Sequence, residues 1–143
     1  MLHTKKLASY RTVSVDTASP GKLILMLFDG AIRFLRTAED GFRIENAGVR
    51  QETIHNNLMR AQDIVTELQR SLNLRDGGDF AVNMFRVYDF MLTRLIAANV
   101  KKNAEYIREV IQLLGELRDA WDEMLREQNA TGALQGAGLS MSA

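Results

Sequence analysis

A single proline constrains how this chain can fold, because it stands where the first of four predicted helices begins. The hydroxyl of Ser19 can cap free backbone amides, and a proline at the first helical position, here Pro20, loses no hydrogen bond. The cap is partial, since Lys22 occupies the place where a capping box has Glu or Gln. We therefore predict a first helix over residues 20–43.

Apolar periodicity and turn chemistry predict three more helices. Apolar side chains follow the i, i+4, i+7 spacing of one helical face over residues 47–72. The sequence RDGGD at residues 75–79 is the clearest turn signal, and Asp79 can cap a third helix over residues 80–100. The same helical spacing returns over residues 104–128, where we predict the fourth helix.

These elements predict an all-α protein, an antiparallel up-down-up-down four-helix bundle, because the helices are long and their connections short. Residues 1–128 then form one domain, in which residues 1–18 hold no helical period and are expected to be an extended N-terminal arm. Residues 129–143 are rich in Gly, Ala and Ser. They cannot bury enough apolar area to offset the entropy of ordering, so we expect a disordered C-terminal tail.

Composition argues against several classes of partner. The chain has 18 basic and 18 acidic residues, whereas nucleic-acid binders usually show a basic excess. No segment approaches the roughly 20 continuous apolar residues of a membrane span, and the N-terminus lacks the apolar core of a signal peptide. We therefore expect a cytoplasmic protein that binds no nucleic acid and inserts into no membrane.

The sequence also lacks the elements of a metal centre or an active site. Glu52-Thr53-Ile54-His55 is an E-x-x-H motif, but a di-iron bundle needs two such motifs, and the only other histidine is His3. There is no cysteine, no nucleophile elbow and no phosphate-binding glycine loop. We expect neither a cofactor nor a metal, and no enzymatic activity.

Two of the predicted helices carry more apolar surface than a single bundle core can use. The apolar residues of helix 2 span about 120°, those of helix 3 about 160°, and those of helix 1 roughly 260° of the circumference. Three coverings are possible: the N-terminal segment, a second copy of the chain, or a partner helix lying in a groove. Most apolar helix positions are nevertheless core.

A polar residue, Asn57, lies within the apolar stripe of helix 2. A buried amide must be hydrogen-bonded, so this side chain could hold the backbone of a bound peptide or could bond a neighbouring helix. Trp121 lies on the apolar stripe of helix 4 and is expected in the core.

The stretch at residues 10–35, YRTVSVDTASPGKLILMLFDGAIRFL, resembles the opening of the flagellar secretion chaperone (FliS) family. The family pattern is an aromatic residue, a short extended link, T-A-S-P, an apolar run and a D-G pair. These are present as Tyr10, residues 17–20, residues 23–27 and Asp29-Gly30. The similarity continues in order to about residue 125, with one departure at Gly21-Lys22, where an acidic capping residue is frequent.

The resemblance implies an antiparallel four-helix bundle that binds the C-terminal segment of flagellin in the cytoplasm. Such a chaperone prevents premature polymerisation and supports delivery to the flagellar type III secretion apparatus, without hydrolysing ATP. The implied partners are the flagellin C-terminal segment and, with cargo bound, the flagellar export gate, while a homodimer of the free protein remains possible. The candidate partner-binding residues, with Tyr10 as the anchor of the arm, are Tyr10, Leu23, Met26, Leu27, Asn57, Ile64, Leu68, Tyr88 and Leu92.

Overall fold

A computed structural model of the chain describes residues 19–142, with side chains through residue 131, and shows four helices and no strand within that range. The helices are α1 (Pro20–Gly41), α2 (Ala47–Arg70), α3 (Gly78–Lys101) and α4 (Ala104–Ser142). The all-α prediction is confirmed, and the bounds of α1, α2 and α3 lie within two residues of the predicted ones. The predicted arm, which includes Tyr10, lies outside the described residues.

The fourth helix is longer than predicted. Its backbone is helical to Ser142, beyond the end at Gln128 that the sequence predicted. Adding a residue to an existing helix gains a hydrogen bond without a new nucleation cost. The Ala, Leu, Gln and Met residues of this segment all have high helix propensity, which favours the extension despite its glycines.

Polar caps define where the helices begin. The Ser19 hydroxyl accepts a hydrogen bond from the Lys22 amide at 3.2 Å, as predicted. Asn46, which sequence reasoning missed, caps α2 by accepting from the Val49 amide at 2.9 Å. The prediction that Asp79 caps α3 is wrong, because the helix already begins at Gly78 without a side-chain cap and Asp79 lies in its first turn.

The four helices form a ring in which each packs against two neighbours. Close backbone contacts join α1 to α2, α2 to α3, α3 to α4 and α4 back to α1, and none among the described residues joins a diagonal pair. With short connections this is the antiparallel up-down-up-down arrangement. Every helix contributes to the core, whose largest fully buried side chains include Phe28, Leu35, Leu58, Leu68, Met91, Leu95, Ile107 and Leu114.

Small residues let α1 and α2 approach closely. Gly30 and Gly41 are buried, and a Cβ atom at either would lie 3.2–3.3 Å from an isoleucine of α2, Ile64 or Ile54 respectively. Ala31 and Ala38 on α1 are also fully buried. Close approach buries more of each helix, so none of the large apolar side chains of α1 is exposed. Packing within the bundle therefore covers much of the apolar excess predicted from its wide arc, while Leu23 and Met26 stay half-buried.

The connection between α2 and α3 requires two glycines for different reasons. A Cβ atom on Gly77 would lie 2.4 Å from the carbonyl oxygen of Asn73 and 2.6 Å from the Cβ of Ala81. Gly78 has a φ of +60°, in the left-handed region that side chains disfavour. The turn therefore depends on the absence of a side chain at both positions.

Replacing Gly77 with alanine should lower the free energy of unfolding by about 1–3 kcal/mol, because the new methyl group overlaps backbone that cannot easily move. Gly115, in the middle of α4, provides a matched control, since nothing lies within 4 Å of an added Cβ. There the same substitution should raise stability by about 0.5–1 kcal/mol. Urea denaturation of both variants measures the two effects, and a neutral Gly77→Ala would contradict the packing described.

Candidate partner-binding site

An open apolar pocket of about 440 Å³, here called the end pocket, lies where α1 begins, α2 ends and α3 begins. All four helices or their connections contribute to its walls. None of its described lining residues carries a formal charge. They are Ile24, Phe28, Ser71, Leu72, Asn73, Gly77, Phe80, Ala81, Met84, Tyr88, Leu117, Ala120, Trp121 and Met124.

Three polar groups of the end pocket form hydrogen bonds within the protein. The Ser71 hydroxyl donates to the Leu68 carbonyl oxygen at 2.6 Å, and the Asn73 side-chain oxygen accepts from the Asp76 amide at 3.1 Å. The Trp121 indole N–H donates to the Gly21 carbonyl oxygen at 2.8 Å. A ligand would therefore be held mainly by removal of apolar surface from water rather than by new hydrogen bonds.

Gly21 lets α4 pack directly on the first turn of α1. A Cβ atom at this position would lie 2.5 Å from a terminal methyl group of Leu125. The contact and the Trp121 hydrogen bond together join the wall of the end pocket to the start of α1. Gly21, one of the two residues at which the sequence departs from the family pattern, thus has a structural role.

Two aromatic residues of α3 stand at different depths in the end pocket. Tyr88 is only 4 % exposed, and burial raises the pKa of its hydroxyl to about 12, because the phenolate would lose hydration. Phe80 lies on the rim with 67 % of its surface exposed. An exposed phenylalanine beside an uncharged pocket is surface that a partner can cover.

The structure distributes the predicted site residues between the core and the surface. Leu27, Ile64 and Leu68 are buried core residues, so they do not line a surface groove. Among the described site residues only Tyr88 lines the end pocket. The others are half-buried elsewhere: Leu23 and Met26 on α1, Asn57 on α2 and Leu92 on α3.

Asn57, singled out by the sequence, and a second amide side chain, Asn99, both have partners inside the bundle. Asn57 donates to the Thr53 carbonyl oxygen one turn earlier, at 2.8 Å. Asn99 lies 2.8 Å from the Nδ1 atom of His55 on α2, so it bonds a neighbouring helix. His55, half of the E-x-x-H motif, is thereby engaged in holding α2 to α3.

Sequence reasoning did not select most of the residues that line the end pocket. Ile24, Phe28, Phe80 and Met84 belong to the wide apolar arcs of helices 1 and 3, which is the signal that could have found them. Trp121, expected in the core, is half-buried and packs against the core while lining the pocket. A helical projection gives the angular position of each residue around the helix axis. It does not show at which end of the bundle the core opens to solvent.

The exposed apolar surface of the described residues lies mainly on α3. Of eight large apolar side chains that are exposed, six belong to this helix, so the outward excess predicted for helix 3 is present. The six are Phe80, Val82, Phe85, Phe90, Ile96 and Val100.

A small helical bundle with an uncharged pocket and an exposed apolar helix face is typical of a protein that binds a partner. The family model described as "Flagellar protein FliS" matches residues 3–128. The chain therefore belongs to the FliS family of flagellar secretion chaperones, which are not enzymes. Within the described residues, no helix is long and apolar enough to cross a membrane.

Three relatives show how far the similarity extends. The chain is 36 % identical to the flagellar secretion chaperone FliS of Vibrio cholerae over 135 residues, 91 % of this chain and 96 % of that protein. It is 35 % identical to FliS of Bacillus subtilis over 120 residues, 84 % of this chain and 86 % of the relative. The FliS protein of Salmonella typhimurium is 35 % identical over 121 residues, 81 % and 87 % of the two chains.

Burial of Tyr88 predicts a pH dependence of stability. An unfolded tyrosine loses its proton near pH 10, whereas the pKa of folded Tyr88 is about 12. The stabilising contribution is thus complete below about pH 10 and is lost as the pH rises towards 12. Urea denaturation should show a steeper loss of stability over this range for the wild type than for Tyr88→Phe. Parallel curves for the two proteins would contradict the burial of the hydroxyl.

Proposed function

We propose that this protein is a cytoplasmic export chaperone that binds the C-terminal segment of flagellin, prevents its premature polymerisation and supports its delivery to the flagellar type III secretion apparatus. The observation that carries the proposal is the uncharged end pocket, with Phe80 exposed on its rim, in a chain of a secretion-chaperone family. The cargo would be received by apolar contact, and no reaction is required.

The energetics of such binding favour a surface of this kind. A disordered cargo segment loses conformational entropy when it is ordered, so the contacts must supply free energy beyond that cost. Fully burying one large apolar side chain contributes about 1.5–3 kcal/mol. Amphipathic helices present several such side chains at i, i+3, i+4 and i+7, and insertion of a few into the end pocket is sufficient to hold the segment.

Chain connectivity supports a role for the N-terminal arm in the same site. Residue 18 precedes the cap of α1 directly, and Ile24 in the second turn of that helix lines the end pocket. Eighteen residues can span up to about 60 Å, which is ample to reach any part of this end of the bundle. We propose Tyr10 as the anchor of the arm beside the bound cargo.

The remaining predicted site residues take different parts in the proposal. Half-buried Leu23, Met26 and Leu92 are accessible for direct contact with cargo. Leu27, Ile64 and Leu68 support the surface from the core, and Asn57 remains a candidate for direct contact through its side-chain oxygen. The complex with cargo, rather than the free chaperone, would be presented to the flagellar export gate.

Calorimetric titration of the protein with a synthetic flagellin C-terminal segment of about forty residues tests the proposed binding. We expect one-to-one binding with a large negative heat-capacity change, because apolar surface is removed from water. Absence of binding by a folded wild-type protein would refute the proposal. A heat-capacity change near zero would show that the contact is not apolar burial.

The end pocket is tested by Phe80→Asp in the same titration. Phe80 is mostly exposed, so the fold should persist, while a charge on the pocket rim should weaken binding by at least about tenfold. Val49→Asp is a matched control, since Val49 is 50 % exposed and does not line the end pocket. Equal affinity of the Phe80→Asp variant and the control would remove the end pocket from the binding site.

A further inference from the structure

Four half-buried methionine side chains lie among the described residues, and two of them line the end pocket. The chain has seven methionines, of which five have described side chains: Met26, Met59, Met84, Met91 and Met124. Met84 of α3 and Met124 of α4 line the end pocket, whereas Met91 is fully buried in the core. The cargo site proposed above thus carries two thioether groups within reach of solvent.

Thioethers are the most readily oxidised side chains that this chain offers to a peroxide. The sequence contains no cysteine, so no thiolate competes for the oxidant. Hydrogen peroxide must reach the sulfur atom, and a half-buried side chain admits it without unfolding of the bundle. Met91, with no exposed surface, is reached only when the bundle opens. Oxidation should therefore modify Met84 and Met124 well before it modifies Met91.

The oxidation of methionine changes the polarity of the side chain more than its size. A lone pair of the sulfur atom attacks one oxygen of hydrogen peroxide, and the O–O bond breaks. The departing hydroxide takes the proton of the oxygen now bound to sulfur and leaves as water. The thioether loses two electrons to the peroxide and becomes a sulfoxide, a polar and chiral group whose oxygen accepts hydrogen bonds.

A sulfoxide in the end pocket opposes the complex with cargo rather than the fold. Both methionine side chains are half-buried in an open pocket, so in the free protein the new oxygen can bond to water. Bound cargo removes that water. The described lining carries no formal charge, and the Trp121 indole N–H already donates to the Gly21 carbonyl oxygen. A buried acceptor without a donor is costly, so the sulfoxide should weaken cargo binding.

We propose that Met84 and Met124 form an oxidation-sensitive pair, through which a peroxide reversibly weakens the binding of cargo to the end pocket. The inference rests on the proposed function, because its consequence is an altered affinity for cargo, and it adds regulation to that site. Methionine sulfoxide reductases reverse the change with a dithiol. The dithiol is oxidised to a disulfide, the thioether is restored, and the oxygen leaves as water.

Treatment of the full chain with hydrogen peroxide, followed by removal of the peroxide with catalase, tests the pair. Peptide mass spectrometry should show one added oxygen on Met84 and on Met124 while Met91 is unmodified, and circular dichroism should show unchanged helical content. Calorimetric titration with the synthetic flagellin segment should then give a dissociation constant at least about tenfold higher than that of untreated protein. The reductases with a dithiol should restore the original value.

Two double variants identify the methionines responsible. Met84→Leu with Met124→Leu removes both thioethers from the end pocket and keeps apolar side chains of similar volume. The affinity of this variant after peroxide treatment should equal its own affinity before treatment. Met26→Leu with Met59→Leu removes two half-buried methionines outside the end pocket and is the matched control. It should lose affinity on oxidation by the same factor as the wild type.

Glutamine substitutions reproduce the change in polarity without an oxidant. The glutamine side chain is unbranched like that of methionine, is a good helix former, and places a carbonyl oxygen near its end. Met84→Gln with Met124→Gln should therefore weaken cargo binding at least about tenfold in untreated protein. Met59→Gln, at a half-buried position of α2 outside the end pocket, should leave the affinity unchanged.

Four results would overturn the oxidation-sensitive pair. They are pocket methionines that resist peroxide as long as Met91 does, an oxidised wild type that binds the segment as tightly as the reduced one, an oxidised protein that loses its helical structure, and a Met84→Leu, Met124→Leu variant that still loses affinity on oxidation. Absence of binding by the reduced wild type would instead refute the proposed function. Binding that oxidation leaves unchanged would refute the pair alone, so the two failures are distinguishable.

Discussion

The close packing of α1 against α2 is the contact on which the rest of the structure depends. Gly30 and Gly41 present backbone where side chains would otherwise separate the helices, and Ile64 and Ile54 fill that space. The approach leaves no large apolar side chain of α1 in the exposed class, whereas six of the eight exposed ones among the described residues belong to α3. The two glycines of α1 thus decide how much of the apolar surface of that helix is left for partners.

The end pocket has walls that are fixed by contacts between helices and a lining that carries no formal charge. Its walls are held by the Trp121 hydrogen bond to Gly21, and nearby Arg118 forms a 2.8 Å ion pair with Asp29 that joins α4 to α1. Because its described lining is uncharged and largely apolar, the pocket discriminates mainly by shape and apolarity. Such a surface suits a chaperone whose cargo must be bound without being chemically altered and then released.

The third helix, α3, presents apolar residues on two sides. Its inner side, with Tyr88 and Met84, shapes the end pocket, whereas Val82, Ile96 and Val100 elsewhere on the helix are exposed. A chaperone must expose apolar surface to bind cargo, yet exposed apolar surface promotes indiscriminate association.

The sequence alone determined the helical class, the first three helix bounds and the family, because periodicity, caps and the residue 17–30 motif are local properties. It did not determine that Leu27 and Leu68 are core while Phe80 stands exposed, since all three occupy apolar positions on helices. Only the tertiary structure decides that, because exposure depends on how closely neighbouring helices approach and where the bundle ends. For the same reason, the structure alone assembled the end pocket from four separate segments.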